Sequence, residues 1–178
     1  MPQLGSLAPS PWRQRWELLA PTVAAALEVW SGSEEVGVVE IDPEAADTAA
    51  MTAAYDVPLA ASANCVVVSG RRAGEERIAA CVVPADTRAD VNSTVKRLLD
   101  VRKASFHPMD RAVAETGMEH GGITPVGLPA GWRVIVDAAV ADIDVAIIGS
   151  GVRRSKLLLP GALLAQLPGA ELVEGLGR

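Results

Sequence analysis

The pattern that most restricts how this chain can fold is a pair of β-branched runs, residues 64–69 and 77–83, on either side of the polar stretch Gly70-Arg71-Arg72-Ala73-Gly74-Glu75. Two such runs around a glycine-bearing turn read as a hairpin. Further short apolar runs, at residues 36–41, 132–137, 144–149 and 155–159, read as strands, with turn residues Ser150-Gly151-Val152-Arg153 between the last two. Helical spacing falls between them. Trp12, Trp16, Leu19, Val23, Leu27 and Trp30 share one face of a helix interrupted near Pro21, and Asp47 or Thr48 can cap a short helix to Tyr55. Val91, Val95, Leu98 and Leu99 place a helix over residues 90–100, and Pro108 to Gly117 reads as another with glycine as its C-cap. Pro160 opens a last one through Leu167. There is no βαβ alternation and no Gly-x-Gly-x-x-Gly after a strand, which argues against a dinucleotide fold.

With a single Phe and a single Tyr, the core must come from Val, Ile, Leu and Ala, and the 178 residues suffice for one domain. No apolar run approaches the roughly 20 residues of a membrane span. Residues 1–11 lack a basic segment followed by an apolar one, so no secretory signal is expected and a cytoplasmic location is. Cys65 and Cys81 lie on the two arms of the hairpin, either facing each other or, as a reducing compartment favours, as two buried thiols. With only His107 and His120 and no Cys-x-x-Cys, neither a metal nor another cofactor is expected.

The net charge of −6 disfavours a general polyanion binder, but its distribution is uneven. Residues 28–60 hold acidic groups and no Lys or Arg, whereas Arg71-Arg72, Lys96-Arg97, Arg102-Lys103 and Arg153-Arg154-Ser155-Lys156 form basic clusters. These are either solvated faces or a weak, salt-sensitive contact for a nucleic acid.

The most distinctive loop is Thr116-Gly117-Met118-Glu119-His120-Gly121-Gly122-Ile123-Thr124-Pro125-Val126-Gly127. Gly121 and Gly122 allow main-chain N–H groups to approach a ligand closely, and Pro125 stiffens the exit. Donors arranged in this way suit the negative charge that builds on a carbonyl oxygen during ester hydrolysis. His107 is either a general base near neutral pH or an exposed residue at a helix start. Among the hydrolase signatures, Gly-x-Ser-x-Gly is missing.

Asp47-Thr48, the strand Asn64-Cys65-Val66-Val67-Val68, Lys103-Ala104-Ser105-Phe106, the Thr-Gly-Met plus Gly-Gly-Ile-Thr-Pro-x-Gly block, Val134-Ile135-Val136-Asp137 and Gly149-Ser150-Gly151 occur in the order found in YbaK/ProX-type aminoacyl-tRNA editing domains, which the chain resembles from about Val36 to its C-terminus. The resemblance implies an α/β fold of the α+β type, with a mixed, curled, barrel-like sheet flanked by helices. It divides the chain into an N-terminal helical segment, residues 1–35, packed on an editing domain, residues 36–178. It implies a trans-acting deacylase that works without metal on mischarged tRNA, with a small amino acid such as alanine, on the tRNA for proline, as client. The partners implied are the tRNA acceptor end and an aminoacyl-tRNA synthetase, with no DNA and no membrane. Asn64, Gly121, Gly122 and Asp137 are the catalytic candidates. Thr48, Lys103, Ser105, His120, Ile123, Thr124, Pro125, Ser150 and Gly151 are the substrate-binding ones. Active members of the family commonly carry a Lys where this chain has Asn64, so a non-catalytic module holding an aminoacyl or nucleotide-like ligand is the alternative. Lys103 is the residue expected to replace that charge.

Overall fold

The computed structural model describes residues 3–178. In chain order its elements are β1 (Ser10–Pro11), α1 (Pro21–Val29), β2 (Gly37–Glu40), α2 (Thr48–Tyr55), β3 (Ala63–Arg72), β4 (Glu75–Pro84), α3 (Lys96–Leu98), β5 (Ala104–Phe106), α4 (Met109–Thr116), β6 (Arg133–Asp137), α5 (Ala138–Ala141), β7 (Ala146–Gly149), β8 (Ser155–Leu159), α6 (Gly161–Leu164) and β9 (Ala170–Val173).

The expected hairpin forms from β3 and β4, which pair antiparallel along their full length around Ala73 and Gly74, both at positive φ. It anchors a five-stranded sheet in the order β5-β3-β4-β6-β9, in which β4, β6 and β9 run parallel. A second, four-stranded sheet has the order β1-β2-β8-β7 and is antiparallel throughout. The architecture is therefore mixed α/β with flanking helices, as expected, but the strands form two sheets and do not close into one curled barrel. The sheets meet where Ser62 pairs with Ile147 in a parallel bridge. Between them lies the largest apolar cluster, in which Val82, Val134 and Val136 of one sheet pack with Val38, Ile148, Leu157 and Leu159 of the other.

The N-terminal segment contributes to this same core. Trp12, Leu19, Val23, Leu27 and Trp30 are buried, and the indole N–H of Trp12 donates to Ser33 O at 3.0 Å. Trp16, expected on the same face, is 63% exposed, because the segment before Pro21 is two separate 3-10 turns rather than helix. Arg15, at φ −136° and ψ 38°, breaks the spiral between them. Residues 90–100 also depart from a regular helix: their first turn is widened, with the Val95 N–H reaching back to Asp90 O at 3.0 Å. Cys65 pairs with Val82 and Cys81 with Val66, so the two thiols occupy opposite faces of the hairpin and remain free. Among the described residues no helix is long and apolar enough to cross a membrane.

Candidate functional site

At the seam between the sheets lies a cavity of about 310 Å³. Its walls come from five places: residues 46–48 and Met51 at the start of α2, residues 62–67 entering β3, Phe106 and His107 at the end of β5, Met109 and Ala112 of α4, and residues 147–149 of β7 with Lys156 of β8. Gly121 and Ile123 close it from the glycine loop. A cavity of this size lies at the small end of ligand sites and suits an aminoacyl group with little side chain.

Four of the expected residues meet here: Thr48, Asn64, Gly121 and Ile123. The Thr48 hydroxyl donates to Asn64 Oδ1 at 3.0 Å and makes no capping bond for its own helix. Its local role is therefore to orient the Asn64 amide, leaving the NH2 end of that amide as a donor. The N–H groups of Gly121 and Ile123 donate to no backbone carbonyl among the described residues, whereas that of Gly122 is spent on Glu119 O at 2.9 Å. Gly122 lies behind the cavity, its carbonyl accepting from Gly151 N at 2.8 Å.

Ser150 and Gly151 hold the loop from the back rather than lining the cavity. Gly151 accepts from Glu119 N at 2.8 Å, and the buried Ser150 hydroxyl bonds to Ser155. Glu119 adds a second tie, its carboxylate accepting from Arg153 N at 2.6 Å. The loop thus faces two ways. Pro125 lies in a separate apolar groove with Trp30, Leu128 and Trp132, and Thr124 is fully buried between that groove and the cavity. His120 is exposed, and among the described residues it bonds only through its carbonyl, to Arg153.

Three other candidates are not brought to the cavity. Both carboxylate oxygens of Asp137 are spent on backbone amides, Oδ1 on Ala139 N at 2.8 Å and Oδ2 on Gly177 N at 2.6 Å, so it caps α5 and ties down the C-terminal segment. Lys103 and Ser105 are exposed along β5, with Ser105 opposite Ser69. Lys103 therefore does not supply a cation to the cavity.

Three further residues of the cavity lie outside the motif blocks, and of these only His107 is a catalytic candidate in the sequence. Ser62 is buried with its hydroxyl unpartnered among the described residues, as are both ring nitrogens of His107. His107 is 4% exposed, not an exposed helix-start residue; its ring meets Trp132 edge-on at 5.7 Å, and Glu115 Oε1 stands 3.5 Å from Nε2, too far for a hydrogen bond. Buried polar atoms are nearly always bonded, and these orphans belong to two residues that border the cavity, their polar ends turned into the surrounding packing.

The third is Lys156, 8% exposed, whose Nζ donates to Ala46 O at 2.7 Å. Burial pushes its ammonium down to about 8, Asp47 opposing and Arg153 adding to the fall. The basic run 153–156 is thus no free polyanion face: Arg153 donates to Pro43 O, Arg154 to Glu17 O, and Lys156 points inward. The available signal was position, since Lys156 is the one charge in the strand Ser155-Lys156-Leu157-Leu158-Leu159.

Phe106, the chain's single Phe, lines the cavity yet is 65% exposed, an apolar plate at its mouth. Among the described residues no group of three His, Cys, Asp or Glu side chains is placed to hold a metal.

Residues 42–167 match the family model described as an aminoacyl-tRNA editing domain. No curated protein sequence matches the chain. Among solved structures, a candidate trans-editing enzyme for prolyl tRNA synthetase superposes with a TM-score of 0.73 at 21% identity, covering 87% of this chain and 94% of its own. The hypothetical protein APE2540 gives 0.67 at 23% identity over 77% of this chain and 88% of its own. A candidate signal transduction protein from Marinobacter aquaeolei VT8 gives 0.58 at 16% identity, covering 86% of this chain but 30% of its own length. At these identities the likeness is one of fold.

Proposed function

The chain belongs to the aminoacyl-tRNA editing domain family, and on that premise we propose that it is a trans-acting deacylase that hydrolyses the ester between a small, wrongly attached amino acid and the 3′ end of tRNA. The observation that carries this reading is the pair of N–H groups at Gly121 and Ile123, which donate to no backbone carbonyl among the described residues and belong to two residues lining the cavity beside the Thr48–Asn64 pair. Preorganised N–H donors stabilise a developing oxyanion, each worth about 2.7–4 kcal/mol. The Asn64 amide, held by Thr48, positions the terminal ribose or the attacking water, and the exposed ring of Phe106 offers a stacking surface for the terminal base. The reaction calls for no metal.

Alanine on the tRNA for proline is the foremost substrate. The cavity is small, a synthetase pocket discriminates weakly against a slightly smaller residue, and the structural neighbour is described as serving prolyl tRNA synthetase. The same neighbour suggests a synthetase as the partner that releases the mischarged tRNA. Purified protein incubated with a panel of mischarged tRNAs and chelator is expected to release free amino acid from at least one. Saturable binding with no release across the panel would select a non-catalytic module, the role that a neutral Asn64 also permits.

A further inference from the structure

We propose that Lys156 is a catalytic cation of this cavity: its ammonium stabilises the negative charge that forms on the ester carbonyl oxygen, beside the N–H groups of the glycine loop. The proposal rests on the deacylase reading and adds to it a residue that lies outside the loop.

The placement follows from strand register. Lys156 on β8 stands opposite Gly149 on β7 and Val39 on β2, and paired residues project to the same face of a sheet. That face of Gly149 is covered by the glycine loop so closely that a Cβ there would stand 2.7 Å from Ile123 O. Lys156 therefore leaves the sheet on the face that Gly149 turns to the glycine loop, and its ammonium reaches Ala46 O, two residues before Thr48, in the cavity that Thr48 and Asn64 also line.

An ammonium has three N–H bonds to donate, and among the described residues a single acceptor, Ala46 O, meets it. No carboxylate lies within 4 Å to form an ion pair with it among those residues. The charged and titratable groups around it are Asp47 at the start of α2, Arg153 in the preceding turn, and His107 and Cys65 across the cavity. A buried charge with unspent donors is costly to keep unless something completes its shell. An oxyanion formed at the loop would do so.

The step balances without a further reactant. Water adds to the carbonyl carbon, and its oxygen takes the negative charge toward Lys156 and the loop. As the carbonyl re-forms, the bond to the ribose oxygen breaks, that oxygen takes one proton originating from water, and the other leaves as the released amino acid ionises. Lys156 keeps its protons throughout.

The test uses the full chain and two stable analogues of a 3′-alanyl adenosine ester, a phosphonate that carries the tetrahedral anion and a planar, neutral amide. Wild-type protein is expected to bind the phosphonate at least about tenfold more tightly than the amide, and to lose that preference as the pH rises through about 8. Lys156→Met and Lys156→Gln are expected to bind the two analogues within about twofold of each other and to slow single-turnover hydrolysis about 100-fold, with Lys156→Arg recovering part of both. A phosphonate preference that survives in the Met and Gln variants, or that wild type never shows, overturns the proposal. Absence of turnover by wild type on every mischarged tRNA would instead overturn the deacylase reading, and the analogue preference would still decide the role of Lys156.

Discussion

The Asn64 amide and the Lys156 ammonium share one small cavity, and their charges set how each tolerates change. Asn64→Lys would place a second ammonium there; like charge and burial both disfavour it, so we expect a loss of about 1–3 kcal/mol of stability together with reduced hydrolysis, by denaturant melts and single-turnover assay. Thr48→Val removes the hydroxyl that fixes the amide at 3.0 Å, and the rate is expected to fall about tenfold with little change in melting temperature. Lys156 also makes a prediction about stability alone. Its folded pKa, about 8, lies below the ordinary 10.5, so between those values the unfolded chain binds more protons and stability rises with pH. Relative to Lys156→Met, wild type should gain up to about 3 kcal/mol between pH 8 and 10.5. The buried thiols of Cys65 and Cys81, pushed upward by burial, act in the opposite direction and cancel in this comparison. A flat difference across that window would contradict the burial of the ammonium.

At the scale of elements, the glycine loop is held in place by a close approach of backbones, and Gly149 is where that approach can be tested. A Cβ there would meet the carbonyls of Gly122 and Ile123, neither of which is a flexible side-chain end, so Gly149→Ala is expected to displace the loop, costing about 1–3 kcal/mol and most of the activity. Gly131, also a loop glycine, has open space around it, and its replacement by Ala should cost about 1 kcal/mol for its positive φ while leaving the rate unchanged. The strands were legible because β-branched runs alternate with turn residues: residues 155–159 were read with the same bounds as β8, and the hairpin arms grew by only a few residues. β9 was not legible. Ala170-Glu171-Leu172-Val173 is short and interrupted by a charge, and it becomes a strand only through parallel pairing with β6 far away in sequence. The loop's glycines marked the site, but they could not say which of its N–H groups were free, since that depends on the turn at residues 150–153 packed behind them. Lys156 was hidden for a related reason: in sequence it closes a basic run, and only the pairing of β8 between β2 and β7 turns it inward.

For the molecule as a whole, the N-terminal 35 residues are part of the packing problem rather than an appendage, since Trp12, Leu18, Val23, Leu27 and Trp30 sit in the same cluster as Ile148 and Leu157. A chain beginning at Val36 is therefore expected to lose cooperative unfolding, read by calorimetry; a sharp, reversible transition in the truncated chain would show that the editing domain stands alone. The two sheets, the loop pinned by Glu119 and the strand carrying Lys156 converge on one cavity at their seam, and hydrolysis of an aminoacyl ester there is the central claim. The most direct test is single-turnover incubation of the purified chain, with chelator present, with alanyl-tRNA and prolyl-tRNA built on the same tRNA for proline. Rapid release of alanine and slow release of proline are expected, with the alanine rate falling in Lys156→Met. Equal, uncatalysed decay of both esters in the presence of saturating protein would contradict the central claim.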